Sequence, residues 1–101
     1  MNVLIQPSAL ADLAEAFDFY ERQEIGLGDY FIERLYTEID SLSVNAGIHG
    51  KRFGYFRLLS KRFPFAVYYH LESGNVYVRA VLDLRKDPEQ LEKKLGFLLP
   101  K

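Results

Sequence analysis

The clearest pattern along the chain lies between Phe63 and Leu84. Phe63, Phe65, Val67, Tyr69 and Leu71 place an apolar side chain at each odd position, and Val76, Val78, Ala80, Leu82 and Leu84 do the same at each even position. A period of two marks strands with one buried face. The intervening side chains are mixed: Ala66, Tyr68 and His70 on the first run, Tyr77, Arg79, Val81 and Asp83 on the second. The second face is therefore partly polar, a place for a ligand or partner. Glu72, Ser73, Gly74 and Asn75 join the runs as a hairpin turn, with Gly74 supplying the positive φ. Pro64 has no amide hydrogen to give a ladder, so regular strand is expected from Phe65 onward. Residues 51–59 read as a further strand, turned back by Ser60 and Lys61, and three strands so connected are antiparallel.

The first half has a helical period instead. Residues 2–6 form a brief apolar strand ended by Pro7, and Ser8 is the expected N-cap of a helix. Leu10, Leu13, Ala14, Phe17 and Tyr20 make its buried stripe, with Asp12, Glu15, Asp18 and Arg22 on the wet side. Its length of about 16 residues corresponds to about 25 Å. Gly26 and Gly28 interrupt it, Asp29 is the expected cap of a second helix, and Phe31, Leu35, Ile39 and Leu42 form that helix's stripe. Residues 45–50 are a loop by their Gly and Asn content. Near the end, Asp87 at N-cap, Pro88 at N1 and Gln90 at N3 open a short helix through Leu91 and Leu95, expected to stop at Gly96. Its apolar face, with Phe97, Leu98 and Leu99, is expected to cover the free sheet face. Strands of nine or ten residues reach about 30 Å, close to the helix length. The pattern thus predicts an α+β fold: an N-terminal strand and helical hairpin packed on an antiparallel sheet, in the order β-α-α-β-β-β with a short C-terminal helix, as a single domain over residues 1–101.

Composition narrows the function. With 101 residues, 49% hydrophobic and 15% aromatic, the chain can bury one core. It has no cysteine, which excludes disulfides and thiolate metal sites and suits a reducing cytoplasm. No apolar run approaches the roughly 20 residues of a membrane span, and the opening residues lack both a basic region and a long apolar segment of the export type. A soluble cytoplasmic protein with no membrane partner is expected. The net charge of −1 hides an asymmetry. Residues 1–50 set two arginines against nine carboxylates, a balance of −7, and residues 51–101 set eleven Lys and Arg against five, a balance of +6. An acidic helical layer behind a basic sheet can steer an acidic partner toward the sheet.

His49 and His70 are the only histidines, and neither has carboxylates at metal-ligand spacing. Phosphate-binding glycine loops and a serine nucleophile elbow are missing too, so no metal or cofactor is expected. The remaining candidate constellation is Arg62, Arg79, Arg85 and Lys86, with Tyr68, His70 and Asp83 on the same strands.

Several segments carry a resemblance: Arg62-Phe63-Pro64-Phe65, the Tyr68-Tyr69 pair, Ala80-Val81-Leu82, Arg85-Lys86-Asp87-Pro88, and Ser8, Ala9, Asp12 and Leu13 entering the first helix. In order and spacing they resemble the ParE/RelE superfamily of small prokaryotic toxins from toxin–antitoxin modules, above all its ParE-like branch. The resemblance implies a toxin that inhibits DNA gyrase by binding, stabilises a plasmid or arrests growth, and is silenced by a cognate antitoxin in a heterodimer or heterotetramer. An antitoxin segment would cover the aromatic and basic sheet region, with an interface of about 800 Å² on this chain. Target or antitoxin contacts would then fall on Arg62, Tyr68, His70, Arg79, Asp83, Arg85 and Lys86. The alternative within the superfamily is a ribosome-dependent mRNA endoribonuclease using Arg62, Arg79 and Arg85, and a third reading is an inactive antitoxin-binding relative. Cleavage also needs a proton-transfer pair. The last helix offers only Lys93, Lys94 and Lys101 for it, and Asp83 stands where ParE-like relatives often carry His. A pI near 6.1 fits poorly with the neutralisation of many phosphates, so direct nucleic-acid binding is not expected.

Overall fold

The computed structural model describes residues 1–98, in the order β1 (Asn2–Ile5), α1 (Pro7–Gln23), α2 (Leu27–Asp40), α3 (Leu42–Asn45), β2 (Lys51–Arg52), β3 (Tyr55–Leu59), β4 (Phe65–Glu72), β5 (Asn75–Asp83) and α4 (Pro88–Leu98). The five strands form one sheet in the order β1-β5-β4-β3-β2. β2 to β5 are joined antiparallel as expected, but β1 lies parallel to β5 at the edge, so the sheet is mixed.

The α1–α2 hairpin covers one face. Its core with the sheet includes Leu13, Phe31, Leu35, Ile39, Val67, Tyr69, Val76, Val78 and Val81. Phe31 is fully buried, and its ring lies 5.0 Å from those of Tyr20, Phe63 and Phe65. Tilted and edge-on pairs of this kind add about 0.5–1.5 kcal/mol each beyond area burial. The whole predicted stripe of α2 is buried, including Leu42 in α3. On α1 the buried arc is Ala9, Asp12, Leu13, Ala16 and Tyr20, whereas Leu10 and Ala14 are exposed. The helix is rotated from the predicted stripe because Asp12 faces the sheet.

Local starts and stops also differ from expectation. α1 begins at Pro7, whose fixed φ suits a first helical position, so Ser8 lies inside the helix and its hydroxyl donates to Arg79 O at 2.5 Å. Gly26, at φ 91°, is the N-cap of α2, and the Glu21 carboxylate of α1 accepts from the amides of Gly26 and Gly28. Asp29 therefore sits in the first turn and not at the cap. The predicted strand over residues 51–59 is a hairpin: Phe53 (φ 56°) and Gly54 (φ 85°) turn the chain between β2 and β3. β4 begins at Phe65, as Pro64 requires. Asp87 caps α4 by accepting from the Glu89 amide at 2.8 Å, and that helix continues past Gly96. The cover expected from Phe97, Leu98 and Leu99 lies outside what is described.

The period-two reading of β5 changes phase midway. Tyr68 pairs with Ala80 but Tyr69 with Val78, so Arg79 has no partner on β4 and forms a bulge. Before it, Val76 and Val78 face the helical hairpin; after it, Val81 does, and Ala80 and Leu82 turn to the other face. There Ala66, Tyr68, Tyr55, Ala80 and Leu82 pack under Leu91 and Leu95 of α4. Alternation could not announce this, because both faces are apolar where α4 covers the sheet.

Gly28 sets the closeness of the hairpin. A Cβ there would meet the Phe17 ring at 2.8 Å and Phe17 O at 2.9 Å, whereas one on Gly50 would meet nothing within 4 Å. Gly28→Ala is expected to lose about 1–3 kcal/mol in urea unfolding, against less than about 1 kcal/mol for Gly50→Ala. Equal stabilities of the two variants would contradict this account of the corner.

Candidate functional site

The polar half of the sheet lies on the face away from the hairpin, beside the part that α4 covers. Even positions of β4 and the stretch of β5 before the bulge supply it. His70 and Tyr77 are register partners, and their rings stack at 5.1 Å and 13°. Arg79 Nε donates to His70 Nδ1 at 3.4 Å, with the guanidinium carbon 5.9 Å from the Tyr77 ring centre. On the other side, His70 Nε2 lies 3.7 Å from a Glu72 carboxylate oxygen. Nδ1 is thus the acceptor and Nε2 carries the hydrogen. Burial, with the positive charge of Arg79, holds the His70 pKa below 6.5, and Glu72 opposes that only in part. The bulge creates this group by turning Arg79 out of the regular ladder.

A second group sits where β5 ends. Arg85 clamps Asp83 through Nε to Oδ1 at 2.9 Å and Nη2 to Oδ2 at 2.8 Å, a bidentate geometry. The hydrogen bonds from Arg85 hold the Asp83 pKa below its ordinary value. The guanidinium also lies 5.7 Å from the half-exposed ring of Phe19. Asp83 holds Arg85 in place, while Arg79 is held by His70. Lys86 is exposed and lines, with Asp83, a cleft of about 310 Å³ between α1 and α4.

At the back of that cleft lies Asp12, 7% exposed. Its Oδ2 accepts from the Val81 amide at 3.0 Å and its Oδ1 from Lys94 Nζ at 2.5 Å. Burial raises its pKa, and the bonds from Lys94 and Val81 pull against that. The expectation that Asp12 faces water is therefore corrected: it joins α1, β5 and α4.

The remaining sequence candidates lie elsewhere. Arg62 is exposed in the β3–β4 turn and lines a shallow cleft with Leu27, Tyr30, Arg34, Lys61 and Phe63 on the hairpin side. Tyr68 is fully buried under α4, its hydroxyl without a hydrogen-bond partner. His49 Nδ1 bonds the Tyr69 hydroxyl at 2.6 Å, which also accepts from the Gly47 amide, so this histidine braces a loop. Lys101 lies outside the described residues. The structure brings His70 to Arg79 and Asp83 to Arg85 and Lys86, and gives Arg62, Arg79 and Arg85 three different sets of neighbours. Sequence reasoning missed Glu72 and Asp12 as members of these groups, named Tyr77 only as part of the polar face, and weighed Lys94 only for proton transfer. Asp12 had a readable signal, since it falls in helical register with Ala9, Ala16 and Tyr20.

Among the described residues no group of three or more His, Asp or Glu could hold a metal ion, and no helix is long and apolar enough to cross a membrane. No protein-family model matches the chain, and no curated protein matches it in sequence. Among solved structures it is similar to one described as the chromosomal ParDE TA system from P. aeruginosa. That similarity has a TM-score of 0.67 at 16% identity, over 83% of this chain and 96% of the other. The fold is therefore the ParE-like α+β fold.

Because the His70 pKa is lowered in the folded protein, the unfolded chain binds more protons between that value and 6.5. The stability contributed by neutral His70 is complete above pH 6.5 and is lost as pH falls through the folded-state value. Unfolding free energies measured across this window are expected to rise with pH in the wild type relative to His70→Gln. A pH-independent difference, or one of opposite slope, would contradict the arrangement of His70 and Arg79.

Proposed function

We propose that this chain is the toxin of a type II toxin–antitoxin module, one domain acting in the cytoplasm, which inhibits DNA gyrase by binding and is neutralised by a cognate antitoxin. The observation that carries the reading is the agreement in fold with the ParDE structure over nearly the whole of that chain. Electrostatics supports it as well: the acidic charge is concentrated on the half that forms the hairpin, the basic charge on the half that forms most of the sheet and α4. Such a field favours encounter with an acidic protein surface over wrapping by many phosphates.

Contacts to the target or the antitoxin are assigned to His70 and Arg79 on the open part of the sheet and to Asp83, Arg85 and Lys86 where β5 ends, with Arg62 on a separate flank. Tyr68 supports this surface from beneath α4. Cutting of mRNA on the ribosome has less support. It needs cations converging on one phosphate, and Arg62, Arg79 and Arg85 have separate surroundings.

Induction without an antitoxin is expected to arrest growth, and the purified protein to block gyrase supercoiling with accumulation of cleaved DNA. Arg79→Ala should weaken inhibition by about tenfold, which is ~1.4 kcal/mol, without unfolding the chain. Unchanged supercoiling, with codon-specific cuts in translated message, would replace the gyrase reading with the ribonuclease one. Neither effect, and no growth arrest, would leave an inactive antitoxin-binding relative.

A further inference from the structure

The side chains of α1 continue the β5 ladder only as far as the Val81 amide, which Asp12 accepts. Ladder groups alternate along an antiparallel strand. Leu84 N turns toward β4, where Pro64 O accepts it, so Val81 O and Asp83 N turn the other way, toward α1. The pairing of β1 ends at Val78, and among the described residues neither of these two groups has a hydrogen-bond partner. Both residues line the cleft of about 310 Å³ between α1 and α4. Small-molecule clefts run from ~300 to ~1,000 Å³, so this one suits a compact ligand. Ala16, Phe19, Phe65, Leu82 and Leu91 give it an apolar lining.

A carbonyl and an amide on either side of one residue are the groups that a single residue of a parallel neighbour bonds, through its own N–H and C=O. β1 pairs with β5 in this parallel sense earlier along the strand. The unit that completes the edge therefore carries a donor and an acceptor on either side of one carbon. Its side chain falls on the face of Leu82, toward Leu91 of α4.

Charge decides what flanks that carbon. At the Val81 end, Asp12 is paired with Lys94, and Glu15 has no salt bridge among the described residues. At the Asp83 end, Asp83 is paired with Arg85, and Lys86 likewise has no salt bridge. Burial, with Glu15 adding to it, raises the Asp12 pKa, whereas the hydrogen bonds from Arg85, with Lys86 adding to them, lower that of Asp83. The paired charges cancel, which leaves a carboxylate beside Asp12 and an ammonium beside Asp83. A cleft with this polarity suits a zwitterion.

We propose that the cleft between α1 and α4 binds a free α-amino acid with an apolar side chain. Its ammonium is set at Val81 O and Glu15, its carboxylate at Asp83 N and Lys86, and its side chain against Phe19, Leu82 and Leu91. The inference does not rest on the module reading. An occupant of this cleft joins both helices across β5, so it stabilises the seat of α4.

The test titrates the ¹⁵N-labelled full chain with L-phenylalanine. Saturable shifts are expected at the Val81, Leu82 and Asp83 amides, with a Kd of about 1 mM or tighter. 3-Phenylpropionate, which lacks the ammonium, and 2-phenylethylamine, which lacks the carboxylate, should each bind more weakly by about tenfold or more. Lys86→Gln should weaken phenylalanine by about tenfold and leave 2-phenylethylamine unchanged, and Glu15→Gln should weaken phenylalanine and leave 3-phenylpropionate unchanged. Both positions are exposed, and the spectrum of each variant checks its fold. No saturable shift up to about 10 mM, shifts centred elsewhere, truncated analogues that bind as well as phenylalanine, or variants that weaken every ligand equally would overturn the proposal. So would equal or tighter binding of N-acetyl-phenylalanine amide, the uncharged form in which a partner chain presents the same residue.

Discussion

Beyond Val78, β5 has no strand beside it on the β1 side, yet its backbone groups are buried and must be satisfied. α1 does this. Gln6 N donates to Val78 O at 2.9 Å, the Ser8 hydroxyl donates to Arg79 O, and Asp12 Oδ2 accepts from the Val81 amide. Two side chains on successive turns of a helix thus continue the ladder that β1 abandons. The carboxylate used for this is itself buried, and Lys94 of α4 neutralises it. An unpaired buried group at either end would cost about 1–3 kcal/mol, so the three elements are coupled.

The bulge at Arg79 falls inside this stretch, and the candidate site follows from it. It inverts the phase of β5, so that the strand feeds apolar side chains to the hairpin before and after while also giving Ala80 and Leu82 to α4. The residue left over is Arg79. Its carbonyl is held by Ser8 and its side chain by His70, which in turn stacks on Tyr77. A cation fixed from both ends loses little conformational freedom on binding, and this makes the half-open face a suitable place for a protein surface.

The sequence revealed the layers well because their signals are redundant. The stripe Phe31, Leu35, Ile39 and Leu42 and the odd positions of β4 each bury one consistent face. The errors fall where two requirements share a residue. Asp12 reads as water-facing because carboxylates usually are, but its position in the helix sets it against the otherwise unpaired Val81 amide. Ser8 has the residue type of a cap, but Pro7 already starts the helix. Val76 through Leu84 looked like one uninterrupted face because both sides of the sheet are apolar there, which hid the bulge. The site is legible in residue type more than in arrangement: His70 and Arg79 stand out as polar residues between apolar ones, but their contact depends on a register shift that no periodicity displays, and Arg62 is carried away to another flank by the turn after β3.

Hydrogen exchange at the Val81 amide, in the wild type and in Asp12→Ala, tests the coupling of helix, strand and cover most directly. Strong protection in the wild type, lost at Val81 far more than at Val67 or Val78 in the variant, is the predicted result. Fast exchange at Val81 in the wild type, or protection that survives removal of the carboxylate, would contradict it.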